Sequence, residues 1–216
     1  MTQSARQFDA VDKLINTIDV GLRTLFNNPD VTERTNPADD INETDLTDQE
    51  KKHIAGLMRI NHCGEVCAQG LYQGQALTAR LPEVREKMEQ SAAEENDHLA
   101  WTASRVEQMD SHISYLNPIF YLGSVAIGAA AGIAGDKWSL GFVAETERQV
   151  VKHLDSHLQE LPEEDRKSRA ILEVMKDDEM SHATTAMEHG AAELPTPIKS
   201  LMTLTSKLMT KTTYWI

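Results

Sequence analysis

The 216-residue sequence has little of several residue types that define whole classes of protein. It has only two cysteines, Cys63 and Cys67, four apart and so side by side on a helix, which excludes a disulfide-stapled secreted scaffold. Aromatic residues are 5% of the chain, and glycine and proline together number 18, too few for a collagen-like or low-complexity polymer. Basic residues are outnumbered, 21 Lys and Arg against 34 Asp and Glu, and a net charge of -13 repels a phosphate backbone, so nucleic acid is not an expected partner. No run of alternating β-branched residues between hairpin turns occurs, and the expected class is all-α. The first ten residues lack the basic stretch and apolar run of a signal peptide, which points to the cytoplasm.

What the chain does have is helical periodicity. Phe8, Val11, Leu14, Ile15, Ile18, Leu22 and Leu25 recur at three- and four-residue steps, predicting an N-terminal amphipathic helix. Residues 28–50 carry eight acids and one base, Arg34, with no apolar period, and read as a solvated acidic linker; residues 1–50 form a first unit. Thr47 and Glu50 make a capping box, so a helix should start near Asp48. Leu81-Pro82-Glu83 and Leu161-Pro162-Glu163 each sit between two helical runs, from near Asp48 to about His112 and from near Lys137 to near Gly190. Two helix pairs with matching Pro turns predict an internally duplicated antiparallel four-helix bundle over residues 51–194. Between the pairs, residues 111–135 hold no charged side chain and form a long apolar crossover.

Within that crossover, residues 118–135 are at the lower limit for spanning a bilayer. A buried helix packed through small residues is one reading, and a segment in the membrane interface flanked by Phe120, Tyr121 and Trp138 is another. The tail, residues 195–216, has Lys199, Lys207 and Lys211, no acids, and ends Tyr214-Trp215-Ile216, a basic amphipathic element suited to an anionic lipid surface. A spanning crossover would put Glu95 and Glu147 on opposite sides of a membrane, so the expectation is a segment that dips into one leaflet or packs on the bundle.

The chemistry lies in Glu-x-x-His, which places two ligands one turn apart on one helix face. With eight histidines and 19 glutamates, random placement gives about 0.7 such pairs, and the chain has three: Glu50/His53, Glu95/His98 and Glu179/His182. The first is accounted for by the capping box. The other two are each preceded by a glutamate across a Pro turn: Glu65 lies 30 residues before Glu95, and Glu147 lies 32 before Glu179. Their distances from the turns match to about one helical turn or less, so all six side chains can converge. Glu145 competes with Glu147, whose distance from the turn fits better. Four glutamates and two histidines from four helices is the ligand set of ferritin-like di-iron carboxylate proteins, in which carboxylates neutralise two Fe(II) ions and imidazole leaves positions open for oxygen. A rival cluster of His62, Cys63 and Cys67 shares one helix and lacks a fourth ligand, and these residues read as core. Asp178 reads either as a group orienting a histidine or as a solvated acid. Tyr72 reads as a core tyrosine or an electron relay, and His153 as a partly buried histidine or a substrate-side group. His112, His157 and His189 show no companions.

Arg59-Ile60-Asn61-His62-Cys63-Gly64-Glu65, Glu94-Glu95-Asn96-Asp97-His98 and Asp178-Glu179-Met180-Ser181-His182 resemble the motifs of the demethoxyubiquinone hydroxylase family over residues 51–216. The resemblance implies a ferritin-like bundle with Glu65, Glu95, His98, Glu147, Glu179 and His182 as ligands of two iron ions per chain. It implies hydroxylation of a polyprenylated methoxy-benzoquinol by dioxygen, one oxygen atom entering the ring and one leaving as water. Because no dinucleotide fingerprint follows a strand, electrons would come from an external donor, NADH directly or through a reductase, or from the quinol itself. The implied location is peripheral, on the cytoplasmic face of the cell membrane, with homo-oligomer or biosynthetic-complex partners. Two rivals keep the bundle but change its use: a ferroxidase or iron-storage protein, and a metal-free scaffold on the membrane surface.

Overall fold

The computed structural model describes residues 10–32 and 34–216; Phe8 and the first nine positions, where a signal peptide was sought, lie outside the described residues. Seven helices and no strand occur among the described residues, as the periodicity predicts. They are α1 (Ala10–Leu25), α2 (Asp48–Thr78), α3 (Pro82–Gln108), α4 (Asn117–Ala134), α5 (Asp136–Glu160), α6 (Arg166–Glu188) and α7 (Thr196–Thr213).

The bundle is α2, α3, α5 and α6. Helix α2 starts where expected, with both halves of the capping box formed between Thr47 and Glu50, and Pro82 opens α3. Pairs such as Gln75 with the carbonyl of Ser139 and Asn61 with His157 run α5 antiparallel to α2, and α3 and α6 likewise oppose each other through His98 and Asp178. Two larger apolar clusters fill the bundle, and a third, smaller one of Val66, Leu99 and Tyr121 joins it to α4. Of the larger two, one is built on Ile54, Met58, Trp101, Leu154, Leu172 and Met175, the other on Tyr72, Val84, Met88, Leu140 and Val143. The polar ligand positions of the sequence pattern fall between them.

The crossover is a helix, and it lies along α2. A Cβ at Gly128 of α4 would strike the backbone carbonyl of Leu71, and one at Gly74 of α2 would strike the carbonyl of Val125. Glycine at both positions lets two helix backbones touch, the close packing that small residues permit. The expected alternative of packing on the bundle is therefore the arrangement seen. Helix α4 returns the chain to the α2–α3 turn, where Asp136 accepts the backbone N–H groups of Arg80 and Leu81 and α5 begins. Its outer face, with Ile119, Leu122 and Ile133, is exposed, as is that of α7, with Leu201, Leu204 and Leu208. Among the described residues α4 is the one helix long and apolar enough to cross a membrane.

The acidic segment before α2, expected to be a solvated linker, is more than a passive connector. Most of it is exposed, but it straps the α3–α6 face at several points. The backbone N–H and hydroxyl of Thr32 donate to the two oxygens of Asp97, at 2.7 and 2.6 Å. Arg34 donates to Asp178, at 2.6 Å. Ala38 enters the core, and Glu43 receives Arg105, a fully buried arginine that also reaches Asp165 at 2.7 Å. Scattered polar anchors of this kind leave no apolar period. Helix α1 departs from its pattern in the other direction, since Ile15, Ile18 and Leu22 are exposed.

Candidate metal centre

Helix α2 supplies Glu65, α3 supplies Glu95 and His98, α5 supplies Glu147, and α6 supplies Glu179 and His182, all buried. The i, i+3 spacing on α3 and α6 aims each glutamate and histidine at the same point of the bundle axis. Nδ1 of His98 is 2.8 Å from Glu95 Oε2, 3.3 Å from Glu179 Oε1 and 3.8 Å from Glu65 Oε2. Nδ1 of His182 is 3.1 Å from Glu95 Oε1 and 3.5 Å from Glu179 Oε2. One ligand atom each from Glu65, Glu95, His98 and Glu179 lies within 4.8 Å of the others. Glu147 comes in beside Glu179. Glu145 points elsewhere, to Lys199 at 3.2 Å.

Each histidine is held from behind. Nε2 of His98 is 2.9 Å from Asp178 and Nε2 of His182 is 2.7 Å from Glu94, so both rings turn Nδ1 inward. The acid that precedes the clustered glutamate on one helix serves the histidine of the other. Glu94 was missed in the sequence; its signal was the parallel between Glu94-Glu95-x-x-His98 and Asp178-Glu179-x-x-His182. Tyr72 donates its hydroxyl proton to Glu147. His153 does not join the cluster; it lies on the wall of an adjoining cavity, 3.5 Å from the Ser206 hydroxyl. The rival set does not form a site either: Cys63 is buried against Thr213, and His62 is wholly buried, which lowers its pKa to about 4.

Four carboxylates this close cannot all be ionised without compensation. Burial, with Glu95 and Glu179 nearby, raises Glu65 well above the usual carboxylate range, and burial with Glu179 and Glu95 does the same to Glu147. Burial also opposes ionisation of Glu95, but His98 and His182 win and hold it low. Burial opposes charge on the rings too, yet the carboxylates hold His98 well above its ordinary value and push His182 up to about 12. Both oxygens of Glu179, Oε1 of Glu95 and Nδ1 of His182 are buried and, close as they lie to one another, make no well-aligned hydrogen bond. Buried polar atoms left without an aligned partner cost about 1–3 kcal/mol each, more when charged, and a cation bound by the carboxylate oxygens removes that cost. The donor set, carboxylate oxygen with two imidazole nitrogens, suits hard to intermediate divalent metals. The buried cluster could hold metal ions.

An apolar cavity of about 480 Å³ reaches this cluster between α2, α4, α5 and α7. Glu65, Glu147 and Glu179 stand at its inner end, Leu71 and Phe120 on its walls, and Ile127 and Leu201 toward its exposed rim.

The family model of the Ubiquinone biosynthesis protein COQ7 matches residues 52–213. Curated relatives align over nearly the whole chain. A 3-demethoxyubiquinol 3-hydroxylase of Nitrosococcus oceani is 56% identical over 211 residues, 98% of this chain and 99% of that protein. Proteins of the same name from Legionella pneumophila and Chromobacterium violaceum are 59% identical over 207 residues (95% and 97%) and 57% identical over 204 (94% and 98%).

Proposed function

The chain belongs to the Ubiquinone biosynthesis protein COQ7 family, and from that premise we propose that it is a 3-demethoxyubiquinol 3-hydroxylase whose six converging ligands hold two iron ions. Glu65, Glu95, His98, Glu147, Glu179 and His182 would be those ligands. When bound, the iron pair supplies the two-electron activation of dioxygen that ring hydroxylation needs. The remaining work falls to the chain. Asp178 and Glu94 fix the two imidazoles with Nδ1 inward, and Tyr72 fixes one oxygen of Glu147. The cavity walls exclude water and admit an apolar ring, which reaches the carboxylates with its polyprenyl tail trailing between α4 and α7. His153, on the cavity wall, would touch substrate and not metal. Electrons arrive from outside the chain, from NADH directly or through a reductase, or with the quinol.

The observation that carries this reading is the position of the ligand cluster at the inner end of an apolar cavity. An iron-storage bundle or ferroxidase has no use for such a passage. The exposed apolar faces of α4 and α7, with Lys199, Lys207 and Lys211 on the latter, support peripheral binding at the cytoplasmic face of the membrane. The test is the metal content of protein purified under iron-replete conditions, together with conversion of a demethoxyubiquinol under ¹⁸O₂. About two irons per chain and one labelled oxygen in the ring are expected. Iron oxidation without quinol turnover would favour the ferroxidase, and a protein with neither iron nor conversion would remove the reading.

A further inference from the structure

The segment before residue 52 lies outside the stretch that the family model matches, yet it reaches the groups packed behind His98. Arg34 Nη2 is 2.6 Å from Oδ2 of Asp178, the same oxygen that lies 2.9 Å from Nε2 of His98. The guanidinium sits over the Trp101 ring, 5.0 Å from its centroid, and that ring packs 5.5 Å from the ring of His98. Thr32 fixes both oxygens of Asp97, one residue before His98. The strap therefore braces His98 through its carboxylate partner, its aromatic neighbour and its own helix. His182 is held otherwise: Glu94 takes its Nε2, and Glu94 is steadied by the neutral amide of Gln90 at 3.0 Å.

We infer that Arg34 is a positioning residue for the His98 half of the metal centre, so that an element outside the matched core makes the two iron positions inequivalent. The physical reason is the freedom of Asp178. Its side chain is 27% exposed, and without a cation its carboxylate can rotate toward water. The guanidinium holds it with the shared oxygen on His98 Nε2, which leaves Nδ1 aimed at Glu95, Glu179 and Glu65. Partners behind a ligating histidine fix its orientation and basicity, and their loss costs about 10–100-fold in metal affinity. Arg34 acts one group further out, so an effect near the lower end, about tenfold at one site, is expected.

The inference rests on the di-iron reading and is tested so that the two fail separately. Full-length wild type, Arg34→Gln, Arg34→Lys and the control Arg23→Gln, which disrupts only the exposed pairs with Asp19 and Asp30, are titrated anaerobically with Fe(II). They are then loaded with ⁵⁷Fe for Mössbauer spectroscopy, and the metal-free proteins are melted. Arg34→Gln should weaken one of two sites about tenfold and alter one quadrupole doublet, leaving the other in place. Arg34→Lys keeps the charge without the planar fork and should give a smaller change in the same doublet; it carries the comparison if the Gln variant does not fold. Arg23→Gln should match wild type. Unchanged doublets and affinities, or equal weakening of both sites with a lowered melting temperature, would overturn the inference while leaving the two-iron reading intact. Wild type that binds no iron would end both.

Discussion

Replacing Gly128 with alanine tests whether α4 packs on the bundle. In an exposed helix the change is stabilising by about 1 kcal/mol, because alanine restricts the unfolded chain and glycine does not. Here the added Cβ would overlap the carbonyl oxygen of Leu71 and stand 3.0 Å from its carbonyl carbon and Cα. The obstacle is backbone on a helix, so no rotamer change relieves it, and α4 must retreat from α2 by roughly 1 Å, with overpacking costs of about 1–3 kcal/mol or more. The propensity gain offsets part of this. A net loss near 2 kcal/mol lowers the melting temperature by about 4–8 °C in a chain of this size. Gly123, on the same helix, has nothing within 4 Å of a Cβ, so Gly123→Ala should raise the melting temperature by about 2–4 °C. The assay is thermal unfolding followed by circular dichroism, in detergent and in vesicles. Combining Gly128→Ala with Gly74→Ala should cost less than the sum, since one displacement relieves both clashes. If Gly128→Ala is as stable as Gly123→Ala, α4 does not lie against α2, and a separate membrane-inserted crossover becomes the better description.

Glu179→Ala should abolish iron binding and turnover, and the gain in melting temperature on adding Fe(II), about 5–10 °C at a hundredfold excess over Kd, should vanish with them; a variant that still loads two irons would remove Glu179 from the ligand set. Arg105→Met leaves Asp165 buried without its cation and should cost about 3–5 kcal/mol by urea unfolding, and a loss below 1 kcal/mol would mean that water already reaches this pair. Acid lability has an identifiable source in His157, which burial holds down to about 4, its Nδ1 2.7 Å from Asn61 Oδ1. Between pH 6.5 and about 4 the unfolded chain binds a proton there that the native state does not, so stability from this group is present above the unfolded pKa and is lost as pH falls through that window, by up to about 3 kcal/mol. Subtracting the stability profile of His157→Gln from that of wild type should expose this slope, and a difference that stays flat from pH 7 to 4 would refute the assignment.

Local rules made much of the molecule legible. Capping by Thr47 and Glu50, the first Leu-Pro-Glu turn and the Glu-x-x-His spacing act within a few residues of one another, and each is present in the structure where the pattern puts it; at the second turn Leu161 closes α5, but α6 opens only at Arg166, capped by Asp165. That Glu147 and not Glu145 faces the cluster was also within reach, because distance from a turn along a rigid helix is arithmetic. Where contacts join distant segments, the sequence was silent. Arg34 and Asp178 are 144 residues apart, and a strap held by single polar anchors leaves no periodic trace, so its composition reads as solvated.

The sequence by itself determined the helices, their pairing across short turns, and which six side chains could meet, since these follow from helix geometry and nearest-neighbour chemistry. Tertiary structure alone decided that the apolar crossover lies on α2 and leaves its outer face open, that Asp178 serves His98 and Glu94 serves His182, and that the N-terminal strap reaches the groups that hold His98. Those outcomes depend on which helix faces approach each other and how closely. Such approach is set by packing over the whole chain, to which no short stretch of residues holds the key.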